Sequence, residues 1–288
     1  MTDSLYHPWN ARFGMAQARG YRVPILMYHS VSEKAVRRFR PYALSPALFA
    51  AQMDYLRQRG YATLTISDLV RSRSGLAESP RAPAVVLTFD DGYADFYTEA
   101  LPVLRRYGFV ATLFVTSGDV GGTSTWLERE GEGQRPMVAW WQLREILSAG
   151  VEVGGHTSTH RALDWLSPAE AREEIMRCKE ELEAQLGRSI SSFAYPYGYY
   201  THAVRDMVQA AGYTSACAVR HRLSPPHDDT FAMARLLVAG GTGAPRFARV
   251  LTGRDLVATV LRPAHDVAWG RYRSVAFLAT KLLGRTGP

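Results

Sequence analysis

Ala84-Val85-Val86-Leu87-Thr88-Phe89-Asp90-Asp91-Gly92-Tyr93 is the stretch on which the fold turns. A short apolar run, rich in β-branched residues, ends in two adjacent carboxylates and a glycine. Such a run reads as a buried strand, and the Asp-Asp-Gly that follows as a turn at its C-terminal end. About 65 residues on, the pattern recurs: Val151-Glu152-Val153 leads into Gly154-Gly155-His156-Thr157-Ser158-Thr159-His160. Two carboxylates and a His-x-x-x-His pair can hold a divalent metal and leave one carboxylate over as a base. That combination points to metal-assisted hydrolysis.

Working outward, strands alternate with helical patterns. Strands are expected at 23–28, 84–89, 110–115, 151–154, 192–195, 214–219 and 234–238. Helices are expected at 46–59, 97–107, 140–148, 168–186 and 201–211. The clearest helix starts at Ser167-Pro168-Ala169-Glu170, a capping box with proline at the first position. It carries the stripe Ala171, Ile175, Cys178, Leu182, Leu186 and stops at Gly187. Alternation of this kind implies an α/β protein with parallel strands and outer helices. A (β/α) barrel fits, and an open doubly wound sheet also matches. Both put reactive groups at the C-terminal strand ends. His29, Asp90-Asp91, His156 and Pro196-Tyr197-Gly198 all lie just past an expected strand. Residues 118–135, rich in Gly and Glu, read as a long loop near that face.

The 288 residues suit one large domain with a tail, and a 47% hydrophobic content can fill its core. A net charge of +7 favours anionic partners, but the basic residues are dispersed and form no long run, so no nucleic-acid partner is expected. Cys178 and Cys217 read as reduced, buried thiols. The first residues lack a charged start followed by an apolar stretch, and no segment has the roughly 18 apolar residues of a membrane span, so a cytoplasmic location is expected.

Each candidate also has a structural reading. Asp90 and Asp91 can be a helix cap and a turn residue. His156 and His160 share a face if their segment makes a helical turn, and single histidines often serve only structure. The Pro-Gly turn in Tyr195-Pro196-Tyr197-Gly198-Tyr199-Tyr200 can aim a backbone N–H at an oxyanion. Its tyrosines can stack on a sugar or simply pack.

Thr88-Phe89-Asp90-Asp91-Gly92, His156-x-x-x-His160 and Tyr195-Pro196-Tyr197-Gly198, in this order, resemble the motifs of the polysaccharide deacetylases. This is the NodB homology domain, or carbohydrate esterase family 4. The resemblance covers about residues 22 to 240 and extends to Leu26-Met27-Tyr28-His29-Ser30-Val31. It implies a distorted (β/α)7 barrel that removes acetyl groups from N-acetylated sugars or glycans. It implies a divalent metal, usually Zn2+, on Asp91, His156 and His160, with Asp90 as general base and the Tyr197 amide at the oxyanion. The domain then spans 22–252, between an extension at 1–21 and a basic amphipathic tail at 253–288.

Two positions depart from the family pattern. Ala194 stands where the third motif carries an arginine that orients the base, and Arg235 is the expected replacement. The late Leu-x-His is missing from Arg235-Leu236-Leu237-Val238-Ala239-Gly240. In a branch resembling the poly-N-acetylglucosamine deacetylases, an N-terminal histidine supplies the acid, and His29 fits, with His202 or His227 next in line. A related amidase acting on a non-sugar C–N bond and a non-catalytic glycan-binding domain remain as alternatives. The tail, with Arg254, Arg262, Arg271, Arg273, Lys281 and Arg285 against Asp255 and Asp266, can pack on the barrel. It can also lie on an anionic membrane at the inner face, near a lipid-linked substrate.

Overall fold

The computed structural model describes residues 22–78 and 83–255. Its strands are β1 (Ile25–Tyr28), β2 (Ser30–Val31), β3 (Ala43–Leu44), β4 (Ala62–Leu64), β5 (Ala84–Phe89), β6 (Thr112–Val115), β7 (Glu152–Gly155), β8 (Ser192–Ala194), β9 (Ser215–Val219) and β10 (Met233–Leu237). Its helices are α1 (Pro46–Gln58), α2 (Ile66–Arg73), α3 (Leu101–Tyr107), α4 (Trp140–Ser148), α5 (Pro168–Leu186), α6 (His202–Ala210) and α7 (Ala244–Leu251).

β1 pairs in parallel with β10 on one side and with β5 on the other, which closes the sheet. The ring runs β1-β5-β6-β7-β8-β9-β10. It is a barrel of seven parallel strands wrapped by helices, and the open-sheet alternative is excluded by that closure. β4 joins the first half of one β5 edge, and β6 takes the second half.

Strand alternation sorts the core into two layers. Val85, Leu87 and Phe89 of β5 point outward into a cluster shared with the helices, together with Leu26, Leu113, Phe193, Ala216 and Leu236. Val86 points inward and meets Ile25, Phe114, Ala194, Cys217 and Met233. The inner layer also holds Ile66 and Leu69, so α2 plugs the N-terminal end of the barrel. Its start is fixed by a reciprocal Thr65–Asp68 capping box. Ile66 N–H donates to Thr112 Oγ1 at 3.0 Å, and Ser67 N–H to Glu152 Oε2 at 3.1 Å. With α2 filling its bottom, the barrel opens among the described residues at the C-terminal strand ends, where the candidate residues lie.

The long helix α5 begins on the Ser167–Glu170 box and ends at Gly187 in the left-handed conformation, as its sequence dictates. Both cysteines are buried free thiols. Several short pieces lie outside the sequence expectations, among them α2, the β2–β3 pair and α7. Phe247, Val250 and Leu251 bury one face of α7, and Phe247 meets Tyr55 of α1 edge-on at 5.9 Å. Residues 1–21, and the tail beyond Asp255, lie outside the described residues. Among the described residues no helix is long and apolar enough to cross a membrane.

Candidate active site

Asp90 continues the inward face of β5 and is 3% exposed. Arg235, inward on β10 and fully buried, grips it with both arms: Nη1 donates to Oδ1 at 2.6 Å and Nη2 to Oδ2 at 2.8 Å. The same guanidinium donates to Thr88 Oγ1 at 3.2 Å and to the Ala218 carbonyl at 3.4 Å. Burial alone would raise the Asp90 pKa. Arg235, with smaller help from His156 and His29, overrides it and holds the carboxyl below the ordinary value. The residue expected to replace the missing motif arginine thus reaches Asp90 from a different strand.

Asp91 leaves the strand through a left-handed residue (φ 77°), followed by Gly92 (φ 87°), and so turns its carboxylate toward β7. His156 Nε2 lies 3.3 Å and His160 Nε2 3.2 Å from Asp91 Oδ1. The His156–His160 segment is not a helical turn. It is an irregular loop in which Thr157 (φ 65°) and His160 (φ 58°) are left-handed, and that reversal brings the two imidazoles together. The physical reason is what the loop is tied to. Ser117 N–H donates to Thr157 O at 3.2 Å, and Gly118 N–H to Ser158 O at 2.9 Å. A side chain at Gly118 would meet that oxygen at 2.8 Å, so only glycine allows the approach. From the other side the buried Glu174 of α5 accepts Thr159 N–H at 2.8 Å and Thr159 Oγ1–H at 2.5 Å.

One donor atom from each of Asp91, His156 and His160 lies within 4.8 Å of the others, and all three residues are buried. The Nδ1–H of His156 donates to the Ala194 carbonyl at 2.7 Å, which leaves Nε2 as the free lone pair. Trp126 stacks on His160 at 4.8 Å and 20°, and Tyr197 meets it edge-on at 4.8 Å. Two imidazoles, one with its tautomer fixed, converging on one carboxylate at the wall of a cavity fit a divalent metal with room for a further ligand.

His29 follows β1 at the level of Asp90, because Tyr28 pairs with Phe89 across the strands. Its ring meets Tyr42 at 5.1 Å. Burial pushes its pKa below the ordinary value, with Asp91 and Asp90 pulling the other way. Tyr197 sits in the Pro196–Gly198 turn with φ 60°. His29, Asp90, Asp91, His156, His160 and Tyr197 all line one cavity of about 840 Å³. His202 lines it too, from the start of α6, whereas His227 is not part of the lining.

Sequence reasoning missed Trp126, Glu174 and the Ala194 carbonyl. For Trp126 a weak signal existed, an aromatic residue in a polar loop expected near this face. Glu174 hides among the many acids of α5, and a backbone carbonyl leaves no mark on the sequence.

Residues 77–216 match the polysaccharide deacetylase family profile. Residues 77–216 are thus a polysaccharide deacetylase domain. It is 27% identical over 228 residues to YxkH of Bacillus subtilis, covering 78% of this chain and 75% of that one. It is 22% identical over 222 residues to a poly-beta-1,6-N-acetyl-D-glucosamine N-deacetylase of Staphylococcus aureus, covering 74% and 72%. The solved structure of IcaB from Ammonifex degensii superposes with a TM-score of 0.67 and 27% identity, covering 82% of this chain and 98% of that one. The polysaccharide deacetylase barrel therefore frames the cluster around Asp90 and Asp91.

Proposed function

We propose that residues 22–252 form a metal-dependent hydrolase that removes the acetyl group from an N-acetylated sugar or glycan. The observation that carries this reading is the split of two neighbouring carboxylates. Asp90 is ionised and clamped by a buried arginine, while Asp91 faces two imidazoles. A binding module has no use for a spare ionised base beside an open ligand set.

Asp91, His156 and His160 would hold the metal, with Zn2+ the best match to two nitrogens and one oxygen. When bound, it would supply Lewis-acid polarisation of the acetyl carbonyl and activation of water. Asp90 takes the proton of the water that attacks the carbonyl carbon. Arg235 keeps Asp90 ionised until that moment and fixes its direction. The Tyr197 amide would donate a hydrogen bond to the developing oxyanion. His29 then gives a proton to the sugar nitrogen as the C–N bond breaks, leaving acetate and an amine. An imidazolium whose pKa is lowered by burial is the stronger acid for that step.

An acetate-release screen with metal-loaded protein tests the reading. His29→Ala is then compared on an N-acetyl sugar and on an activated acetyl ester. The expected loss on the sugar is about 10²–10⁴-fold, with a far smaller loss on the ester, whose leaving group needs no proton. Equal losses on both would make His29 structural and turn attention to His202.

A further inference from the structure

The cavity has two unlike walls. Phe39, Tyr93, Trp126 and Leu127, together with Arg38, come from the β2–β3 segment and the loops after β5 and β6. His202, Arg220, His221 and Arg246 come from the segments after β8 and β9 and from α7. Around the ring, β6 and β9 are separated by β7 and β8 one way and by β5, β1 and β10 the other, so the Trp126 and Arg220 loops lie on different sides of the barrel mouth, while the segments carrying Phe39 and Arg246 follow the paired strands β1 and β10.

The basic wall is built rather than loose. Arg220 is hydrogen-bonded to the Tyr200 hydroxyl and lies over that ring, 5.9 Å from its centroid. Tyr200 stacks on Tyr195 at 4.6 Å and 20°, and Tyr195 Oη–H donates to the Phe231 carbonyl at 2.8 Å. The Tyr195–Gly198 turn is pressed on β9 so closely that a side chain at Gly198 would come within 2.5 Å of Val219. Arg246 is steadied by Asp255 at 2.9 Å. Beyond Asp90 and Asp91, the acidic residue of the lining is Glu130, which lies on the Trp126 loop.

N-deacetylation produces an amine, which is protonated at neutral pH. A glycan processed residue by residue therefore gathers positive charge, and an arginine wall opposes its return to the cleft. The same wall attracts a phosphate ester, the partner that a fixed guanidinium suits best. We propose that the natural substrate is an N-acetyl sugar joined to a phosphate. The sugar lies against the aromatic wall with its acetyl group at Asp90, and the phosphate lies against Arg220 and Arg246. This rests on the deacetylase reading and narrows its substrate to an anionic, non-polymeric class. Such a phosphate can come from a nucleoside diphosphate or from a polyprenyl diphosphate carrier.

The test measures acetate release by metal-loaded full-length protein from four probes. They are a neutral methyl glycoside of an N-acetylhexosamine, its 1-phosphate, a uridine diphosphate N-acetylhexosamine and a short polyprenyl diphosphate sugar. A phosphate-bearing probe is expected to exceed the neutral glycoside in kcat/KM by about tenfold or more, an advantage that shrinks as salt rises. The better of the two diphosphates identifies the carrier. Arg220→Gln should lower this preference ratio, and Arg246→Gln provides the same reading if the first variant folds poorly. Equal kcat/KM on neutral and phosphorylated probes, or a ratio unmoved in a folded variant, overturns the phosphate assignment and leaves the deacetylase reading intact. No acetate from any probe overturns the deacetylase reading, and the phosphate assignment with it.

Discussion

The two halves of the candidate site are built in opposite ways. Asp90, Thr88 and Arg235 sit on the inward faces of β5 and β10, where strand geometry alone sets their positions. Asp91, His156 and His160 sit on turns, two of them at left-handed residues, and need outside ties to converge. Asp90 is thus held by the strands themselves, whereas the Asp91–His156–His160 cluster depends on a loop strapped between Ser117–Gly118 and Glu174. Removing a partner should therefore damage the two halves differently: the strand half through stability, the loop half through metal affinity.

The largest effect is expected at Arg235. Arg235→Gln leaves Asp90 buried without its cation, which costs about 3–5 kcal/mol of stability. It should also slow turnover, since burial then pushes the carboxyl toward its protonated form. Denaturant unfolding of Arg235→Gln, Asp90→Asn and the double variant checks the pairing. The double variant should be less destabilised than the sum of the singles. Additive losses would dissolve the contrast between the halves.

A smaller effect is expected on the loop half. Glu174→Ala should weaken metal binding by about 10–100-fold with only a modest change in unfolding of the metal-free protein. Chelator competition measures the affinity, and Glu174→Gln, which can still accept the Thr159 hydroxyl proton, should recover part of it. An unchanged affinity would show that the loop holds its shape without α5.

The same division explains what the sequence disclosed. The apolar run from Ala84 to Phe89 made β5, and Asp90 just past it, readable, and the capping box at Ser167 placed α5 to the residue. Arg235 was legible as a replacement for the arginine missing at Ala194, because a buried carboxylate needs a cation. The β1 closure onto β10 and β5 is a long-range pairing with no local signature, so strand alternation alone fitted both a barrel and an open sheet, and the family resemblance pointed to the barrel. α2 has only eight residues and was passed over despite its Thr65-x-x-Asp68 box. The convergence of His156 and His160 depends on left-handed residues that are not glycine, which sequence spacing does not announce.

The smallest effect concerns pH. The Asp90 carboxyl is depressed in the folded protein, so its contribution to stability is complete above the ordinary carboxylate value near 4. That contribution fades as pH falls through the lower folded value. In metal-free protein, the gap in Tm between wild type and Asp90→Asn should be constant near neutrality and shrink below about pH 4. A gap independent of pH would mean that Asp90 is not held ionised by Arg235.

The division of labour between Asp90 and Asp91 is tested most directly by measuring bound metal and acetate release together for Asp90→Asn and Asp91→Asn. Asp90→Asn is expected to keep its metal and lose about 10²–10⁴-fold in turnover. Asp91→Asn is expected to lose the metal and the activity with it. Near wild-type turnover in Asp90→Asn, or loss of its metal, would contradict the assignment of Asp90 as a base standing apart from the ligand set.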